Sequence, residues 1–278
     1  MAGDPVLVFG ATGTQGGAVA QQLLAADFPV YAFVRDPRSQ RSRALASRGA
    51  KLIVGDLEDV TSIERALAGV PVAYAVTTPF ERGADEEVRQ GDAIIAAAAR
   101  AQLPWLIFAS VAAAARAPVP HFKSKARIEE KLRAGPVPWT ILAPSYFYEN
   151  VLGSADGIRD GALPMALPAD TPLDQVALRD LGSLVALILG RRDEHLSARI
   201  EVASYAPTPR EMARALGVRA EETPIEDVRD RSPDLAAMYE FLADEGYGID
   251  TAALRDRYPE IAWMSFAEWV SETDWRSP

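Results

Sequence analysis

Near its start the chain places a glycine-rich segment directly after a short apolar run, an order of residues that few folds accommodate. Residues 5–9 are apolar, and Gly10, Gly13 and Gly16 follow with the spacing G-x-x-G-x-x-G. A turn this tight needs backbone angles that a Cβ atom disfavours. Apolar residues with helical spacing come next, and a strand, a glycine turn and a helix in this order are typical of a phosphate-binding loop. A tight turn that binds no ligand is the alternative interpretation.

Short apolar runs alternate with segments of helical periodicity through roughly the first 145 residues. Strands are predicted at residues 5–9, 30–34, 51–54, 72–76, 105–109 and 139–142, and helices at 17–26, 39–48, 60–67, 85–100 and 121–133. Strands separated by helices of about 10–16 residues pair in parallel through right-handed crossovers. Because the runs are continuously apolar, we expect helices on both faces of the sheet. The sequence therefore predicts an α/β fold with a Rossmann-type doubly wound parallel sheet.

This alternation ends after Pro144. Residues 153–171 are predicted to be mainly loop, 180–189 a helix and 198–203 a strand that returns to the sheet, whereas helices alone are predicted after residue 207, at 210–216, 234–244, 251–258 and 265–271. We expect a Rossmann domain of residues 1–150, rejoined by 176–204, and a smaller, mostly helical lobe of residues 151–175 and 205–278 over the carboxyl ends of the strands. The core of this lobe is predicted to contain Trp263, Phe266, Trp269 and Trp275. The acidic stretch 221–230 is predicted to be solvated surface.

Composition excludes several classes of function. The chain has no cysteine, and its two histidines, His121 and His195, lie far apart in sequence, so no metal site is predicted. A formal charge of −10 argues against direct binding to nucleic acid. No stretch approaches the roughly 18 consecutive apolar residues that span a bilayer. No basic and then apolar leader opens the chain, so we expect a cytoplasmic protein.

The residues after the second predicted strand bear on which nucleotide the glycine turn would hold. An NAD-binding domain usually places Asp or Glu there, to accept hydrogen bonds from the ribose hydroxyls. This chain has Arg35 at that point and Arg38 soon after. A guanidinium group suits the additional 2′-phosphate of NADP(H), which a carboxylate would repel. NADP(H) is therefore the predicted cofactor, with a solvated arginine face as the alternative.

Several short motifs along the chain together resemble the NmrA-like family of atypical short-chain dehydrogenase/reductase proteins. They are FGATGTQGG at residues 9–17, VRDP at 34–37, GD at 55–56, VRQG at 88–91, HFKSK at 121–125, PSYFYEN at 144–150 and DLG at 180–182. The resemblance covers nearly the whole chain and implies a Rossmann-type fold that binds NADP(H). Members of the family differ in activity, because some reduce quinones or phenylpropanoids and others are redox sensors that bind regulatory partners.

The resemblance also implies a set of cofactor-binding residues. The pyrophosphate would lie at Gly10, Thr12, Gly13, Thr14, Gln15 and Gly16. The 2′-phosphate would lie at Arg35 and Arg38, and the adenine at Asp56 and Leu57. Thr77 and Thr78 would flank the ribose, Lys125 would face the nicotinamide ribose, and residues 144–147, including Pro144, Tyr146 and Phe147, would line the nicotinamide.

The catalytic motif differs from that of the short-chain reductases. Their Tyr-x-x-x-Lys motif corresponds here to residues 121–125, with His121 at the tyrosine position and Lys125 retained. Three interpretations stay open. His121 could donate the proton; Lys125 alone could support a reductase, as in the phenylpropanoid-reducing relatives; or the chain could lack chemistry, with Lys125 binding only cofactor.

Two functional hypotheses follow from these interpretations. The first is an NADP(H)-responsive redox sensor with little or no turnover, which would bind a protein partner. The alternative is an NADPH-dependent reductase of quinones or related conjugated carbonyls. The oligomeric state is left open, and an empty nucleotide fold with a purely structural role is the third reading.

Overall fold

The computed structural model describes residues 4–273. The strands are β1 (Val6–Val8), β2 (Val30–Val34), β3 (Lys51–Val54), β4 (Val72–Val76), β5 (Leu106–Ala109), β6 (Trp139–Pro144), β7 (Tyr146–Phe147), β8 (Ala162–Met165), β9 (Gln175–Val176), β10 (Ala198–Val202) and β11 (Arg219–Glu222). The helices are α1 (Thr14–Ala25), α2 (Gln40–Ser47), α3 (Val60–Leu67), α4 (Ala84–Arg100), α5 (Pro120–Ala134), α6 (Ala155–Arg159), α7 (Leu178–Leu189), α8 (Arg192–His195), α9 (Pro209–Leu216), α10 (Ile225–Arg231), α11 (Pro233–Asp244), α12 (Thr251–Arg257) and α13 (Phe266–Glu272), with a 3₁₀ helix at Tyr148–Ser154. Over residues 4–273, none of these helices combines the length and the apolar character that crossing a membrane requires.

Seven strands form the main sheet in the order β10-β6-β5-β4-β1-β2-β3. The neighbouring pairs among β1 to β6 are parallel, with Val6 opposite Val30 on one side of β1 and opposite Val72 on the other. This arrangement confirms the predicted Rossmann-type α/β fold. The strand order reverses at β1, because β2 and β3 follow on one side of it and β4, β5 and β6 on the other. In such sheets the ligand crevice lies outside the carboxyl ends of the strands at this switch point.

The sheet core explains why the central strands are apolar without alternation. All residues of β1 and β5 are buried, and Phe9, Phe33, Phe108 and Ile141 belong to one apolar cluster around the sheet. Helices on both faces leave no solvated side, as predicted. Strand β3 departs from the prediction, because as an edge strand it leaves both of its terminal residues exposed.

Helix α1 begins three residues earlier than the prediction of residue 17. Its first residue is Thr14, so Gly16 and Gly17 lie inside the first turns of the helix. Glycine ordinarily weakens a helix, which is why sequence periodicity places the start after it. Here both glycines are buried against the turn before the helix, where Cβ atoms would lie 2.3 Å from the Gly10 carbonyl oxygen and 3.1 Å from that of Ala11.

The chain divides into two compact units. Unit 1 contains the residues through Val111, Ser124–Ala143 and Leu181–Ile200, and unit 2 contains Ala112–Lys123, Pro144–Asp180 and the described residues from Glu201 onward. Helix α5 therefore begins in unit 2 and ends in unit 1. The domain limits proposed from the sequence, at residues 150, 176 and 204, stay a prediction.

Unit 2 is mostly helical and has a core rich in aromatic side chains. Trp263, Phe266 and Trp269 are buried as predicted, and the Phe266 ring lies 5.2 Å from that of Tyr148 and 5.5 Å from that of Trp269. The fourth predicted core residue, Trp275, lies outside the described residues.

The prediction that only helices follow residue 207 is wrong. Strand β11 pairs in parallel with β8, and α10 follows it. Because three of the four residues of β11 are charged, no alternation of apolar and polar residues predicts this strand.

Candidate functional site

The glycine turn of unit 1 has a backbone that only glycine fits at two positions. Gly10 adopts a φ of +69°, and a Cβ atom there would lie 2.6 Å from Cγ1 of Val76. A Cβ atom at Gly16 would lie 2.3 Å from the carbonyl oxygen of Gly10. The turn is closed by Gly13, whose N–H donates to that same carbonyl oxygen at 2.9 Å. The glycines therefore build a close-packed backbone cradle, as the motif requires.

The N-terminus of α1 opens onto this cradle. Its N-cap residue, Gly13, has no side chain that could accept from the first N–H groups, and the first turn contains no acidic residue. The partial positive charge of a 12-residue helix is therefore not compensated by its own residues, which suits an anion. Of the other predicted contacts, Gln15 donates its side-chain amide to the hydroxyl of the buried Tyr74 at 2.9 Å.

Three arginines follow β2 closely in the chain, two of them before α2 and one in its first turn. Arg35 and Arg38 are exposed, Arg35 in an ion pair with Glu81 and Arg38 3.7 Å from Asp36. Arg41, in the first turn of α2, donates to the carbonyl oxygen of Thr12 at 3.2 Å and so joins this segment to the glycine turn. The sequence did not predict Arg41 as a site residue, because it is one of several arginines between residues 35 and 43.

The residues predicted to lie beside the adenine follow β3. Asp56 and Leu57 are half-buried, and Leu57 packs against the apolar core of unit 1. The Asp56 carboxylate accepts the N–H of Glu58 at 3.0 Å, while its own N–H donates to Ser62 at 3.0 Å. The turn after β3 is thus fixed by local hydrogen bonds.

Lys125 lies in a buried polar cluster of unit 1. Its ammonium group donates to the Thr77 carbonyl oxygen at 2.8 Å, to the Thr77 hydroxyl at 3.1 Å and to the Ala109 carbonyl oxygen at 3.2 Å, and it lies 3.0 Å from Glu87. Ser124 and Thr77 also donate their hydroxyls to the Glu87 carboxylate. Burial lowers the pKa of Lys125, and the neighbouring Glu87 charge opposes that shift.

Glu87 is completely buried, and the sequence did not predict this burial. It stands in the first turn of α4 beside two more acidic residues, Asp85 and Glu86, and only packing distinguishes it from them. The last predicted ribose residue, Thr78, accepts the N–H of Phe80 at 3.3 Å and begins the loop that leads to α4.

His121 lies in unit 2, where it is hydrogen-bonded to a carboxylate that the sequence did not predict. Nδ1 of His121 lies 2.6 Å from Oδ2 of Asp234, and the backbone N–H of His121 donates to Oδ1 at 3.1 Å. The His121 side chain is only 11% exposed. A carboxylate on one ring nitrogen fixes the orientation of an imidazole. The two residues stand 113 positions apart in sequence, so only the fold brings them together.

The predicted nicotinamide segment, residues 144–147, is also in unit 2. Pro144 is buried, Tyr146 and Phe147 are half-buried, and the Tyr146 hydroxyl lies 3.2 Å from that of Tyr239. Burial raises the pKa of both tyrosines. Within residues 4–273, the hydroxyl of the buried Ser145 has no hydrogen-bond partner. An orphaned buried hydroxyl in this segment is a polar group that a ligand can satisfy.

Two further motif residues stabilise unit 2. Glu149 accepts from the N–H of Leu178 and from the indole of Trp269, both at 3.1 Å. Asp180 accepts from the Ser204 hydroxyl and the Met264 N–H, both at 2.7 Å. Glu149 and Asp180 therefore have structural roles in unit 2.

Comparison with known proteins agrees with this architecture. The model of the NmrA-like family matches residues 3–269. The chain is similar to (4-alkanoyl-5-oxo-2,5-dihydrofuran-3-yl)methyl phosphate reductase of Streptomyces griseus, with 31% identity over 232 residues that cover 81% of this chain and 79% of the relative.

Among solved structures, the chain is similar to the NADPH-dependent quinone oxidoreductase of Escherichia coli complexed with NADPH, with a TM-score of 0.80, 23% identity and coverage of 96% of this chain and 98% of the other. It is also similar to NmrA, a negative transcriptional regulator, in complex with NADP, with a TM-score of 0.78, 18% identity and 99% coverage of both chains. Since the family model spans nearly the whole sequence, the chain belongs to the NmrA-like family.

Proposed function

We propose that the chain is an NADPH-dependent reductase of quinones or related small conjugated carbonyls. The observation that carries this proposal is the contact between His121 and Asp234, which provides an oriented imidazole where short-chain reductases have their tyrosine. A protein that only sensed a nucleotide would have no need of a carboxylate-bound imidazole at that position. The reductases among its relatives and structural neighbours add support.

The described residues of unit 1 fit NADP(H). Gly10 and Gly16 leave room for a pyrophosphate beside main-chain N–H groups, and the N-terminus of α1 favours its negative charge. Arg35, Arg38 and Arg41 supply guanidinium groups for the 2′-phosphate. When bound, the reduced nicotinamide supplies a hydride.

His121 and Asp234 would then handle the proton. Imidazole exchanges protons near neutral pH, and the Asp234 carboxylate orients the His121 ring through Nδ1. In this scheme His121 donates a proton to the oxygen of the reduced acceptor, and Asp234 holds the ring in position.

Lys125 has a different task in this proposal. A lysine ammonium group has three N–H donors, and four acceptor atoms already lie within 3.2 Å of Nζ. Lys125 therefore fixes Thr77 and the carboxyl ends of β4 and β5, and with them the ribose side of the nucleotide site.

The test combines calorimetric titration with NADPH and NADH and absorbance at the nicotinamide band with a panel of small quinones. Wild type is compared with His121→Asn, Asp234→Asn and the control Asp250→Asn, which replaces the N-cap aspartate of α12, also in unit 2. We expect about 10²- to 10⁴-fold slower turnover for His121→Asn, a smaller loss and an altered pH profile for Asp234→Asn, and NADPH affinity unchanged in all three. Wild-type turnover that His121→Asn leaves intact would refute the assignment.

A nucleotide-responsive regulator with little or no turnover is the second candidate. The observation that favours it is the saturation of Lys125 by acceptors of unit 1, which makes the one retained catalytic-motif residue structural. Tight NADPH binding with no consumption by any quinone would favour this candidate. Consumption above about 1 s⁻¹ would exclude it.

A further inference from the structure

Glu81 forms an ion pair with Arg35, one of the arginines proposed to bind the 2′-phosphate of the nucleotide. Nη1 of Arg35 lies 3.4 Å from Oε2 of Glu81, and Nη2 donates to Oε1 at 3.4 Å. Two nitrogens thus face two carboxylate oxygens, which is the arrangement in which guanidinium also binds a phosphate. Both side chains are more than half exposed, so an incoming anion can reach the pair.

The loop that contains Glu81 is attached at a second point. Arg82 forms an ion pair with Glu58, which closely follows the predicted adenine residues Asp56 and Leu57. The loop after β4 therefore contacts the segments after β2 and after β3. Because β1 lies between β4 and β2 in the sheet, the Arg35–Glu81 pair joins two segments across the carboxyl end of the strand that leads into the glycine turn.

We infer that Glu81 is a specificity-determining residue that competes with the 2′-phosphate for Arg35 and so narrows the preference for NADP(H) over NAD(H). This inference rests on the proposed binding of NADP(H) by unit 1. A 2′-phosphate carries up to two negative charges and would lie beside the Glu81 carboxylate if that carboxylate stayed in place. Binding of NADP(H) therefore requires that Glu81 release Arg35, whereas NAD(H), which has no 2′-phosphate, leaves the pair intact.

Calorimetric titration of the whole chain with NADPH, NADH and adenosine 2′,5′-bisphosphate tests the inference without any turnover. The variant is Glu81→Gln, and the control is Glu64→Gln, which removes a partly exposed glutamate of unit 1 from its ion pair with Arg100. We expect Glu81→Gln to bind NADPH and the bisphosphate about 3- to 5-fold more tightly, the size of effect that an exposed ion pair supports. The NADH affinity of Glu81→Gln and all affinities of Glu64→Gln should be unchanged.

A double variant shows whether the effect passes through Arg35. In an Arg35→Gln background, Glu81→Gln should no longer tighten NADPH binding. Equal NADPH affinity of wild type and Glu81→Gln would overturn the inference while leaving the proposed function intact, and so would a tightening that persists without Arg35. If wild type binds no nicotinamide nucleotide at all, the proposed function fails together with the inference.

Discussion

The ammonium group of Lys125 lies 3.0 Å from Oε1 of Glu87, a carboxylate that is completely buried. Both residues lie in unit 1, and the hydroxyls of Thr77 and Ser124 donate hydrogen bonds to the Glu87 carboxylate. A buried ion pair adds little stability by itself, but removal of one partner leaves the other charge without compensation. The lysine that sequence reasoning assigned to catalysis is therefore also a structural residue.

We expect Lys125→Met to lower the free energy of unfolding by about 3–5 kcal/mol, because Glu87 would keep a buried charge without its cation. Urea unfolding measures the change. The double variant Lys125→Met with Glu87→Gln should recover part of the loss, since no buried charge remains. If Lys125→Met unfolds like wild type yet binds NADPH poorly, Lys125 contacts the nucleotide directly.

Gly16→Ala should abolish NADPH binding, because its Cβ atom would lie 2.3 Å from the backbone oxygen of Gly10 and the cradle would have to open. The free energy of unfolding should also fall by about 1–3 kcal/mol. Gly153→Ala is the control, since nothing lies within 4 Å of the added carbon. Calorimetry and thermal unfolding report both effects, and NADPH affinity that survives in Gly16→Ala would contradict the assignment of the cradle.

Ser145→Ala should leave the free protein as stable as wild type or slightly more stable, because its buried hydroxyl has no partner among residues 4–273. The same change should weaken nicotinamide nucleotide binding by about 0.5–1.5 kcal/mol if the hydroxyl meets the nicotinamide. Ser204→Ala is a contrasting control, since its hydroxyl donates to Asp180 at 2.7 Å and its loss should destabilise unit 2 without altering affinity. A Ser145→Ala protein that is markedly destabilised would show that the hydroxyl is already satisfied.

Stability should respond to pH through Glu149, because burial raises the pKa of this carboxyl above its ordinary value of 4.5. The folded state then binds the proton more tightly than the unfolded state. The stability from this group is fully present below the unfolded pKa and is lost as pH rises through the raised folded value.

The variant Glu149→Gln, which keeps an acceptor oxygen but cannot ionise, should gain stability relative to wild type as the pH rises above the ordinary glutamate pKa of 4.5 and through the raised folded value. Urea midpoints at several pH values across this range measure the difference. A difference that is independent of pH would contradict the raised pKa.

The alternation of apolar runs with helical segments was sufficient to predict the sheet, because each strand–helix unit carries its own local pattern. The order of the strands in the sheet was not predicted, because it depends on which elements pack together in the tertiary structure. Strand β11 was missed because its pairing with β8 is specified by tertiary contact alone. The glycine turn was also predictable, since Gly10 and Gly16 have a backbone requirement that is local to the chain.

The charged partners of the site were decided by the tertiary structure. Glu87, Asp234 and Glu81 contact Lys125, His121 and Arg35 from 38, 113 and 46 residues away. In the sequence each is one carboxylate among 39 acidic residues. Local pattern fixes which backbone can turn and which face is apolar, but the choice of one carboxylate for one cation depends on which side chains the packed elements bring within about 3 Å.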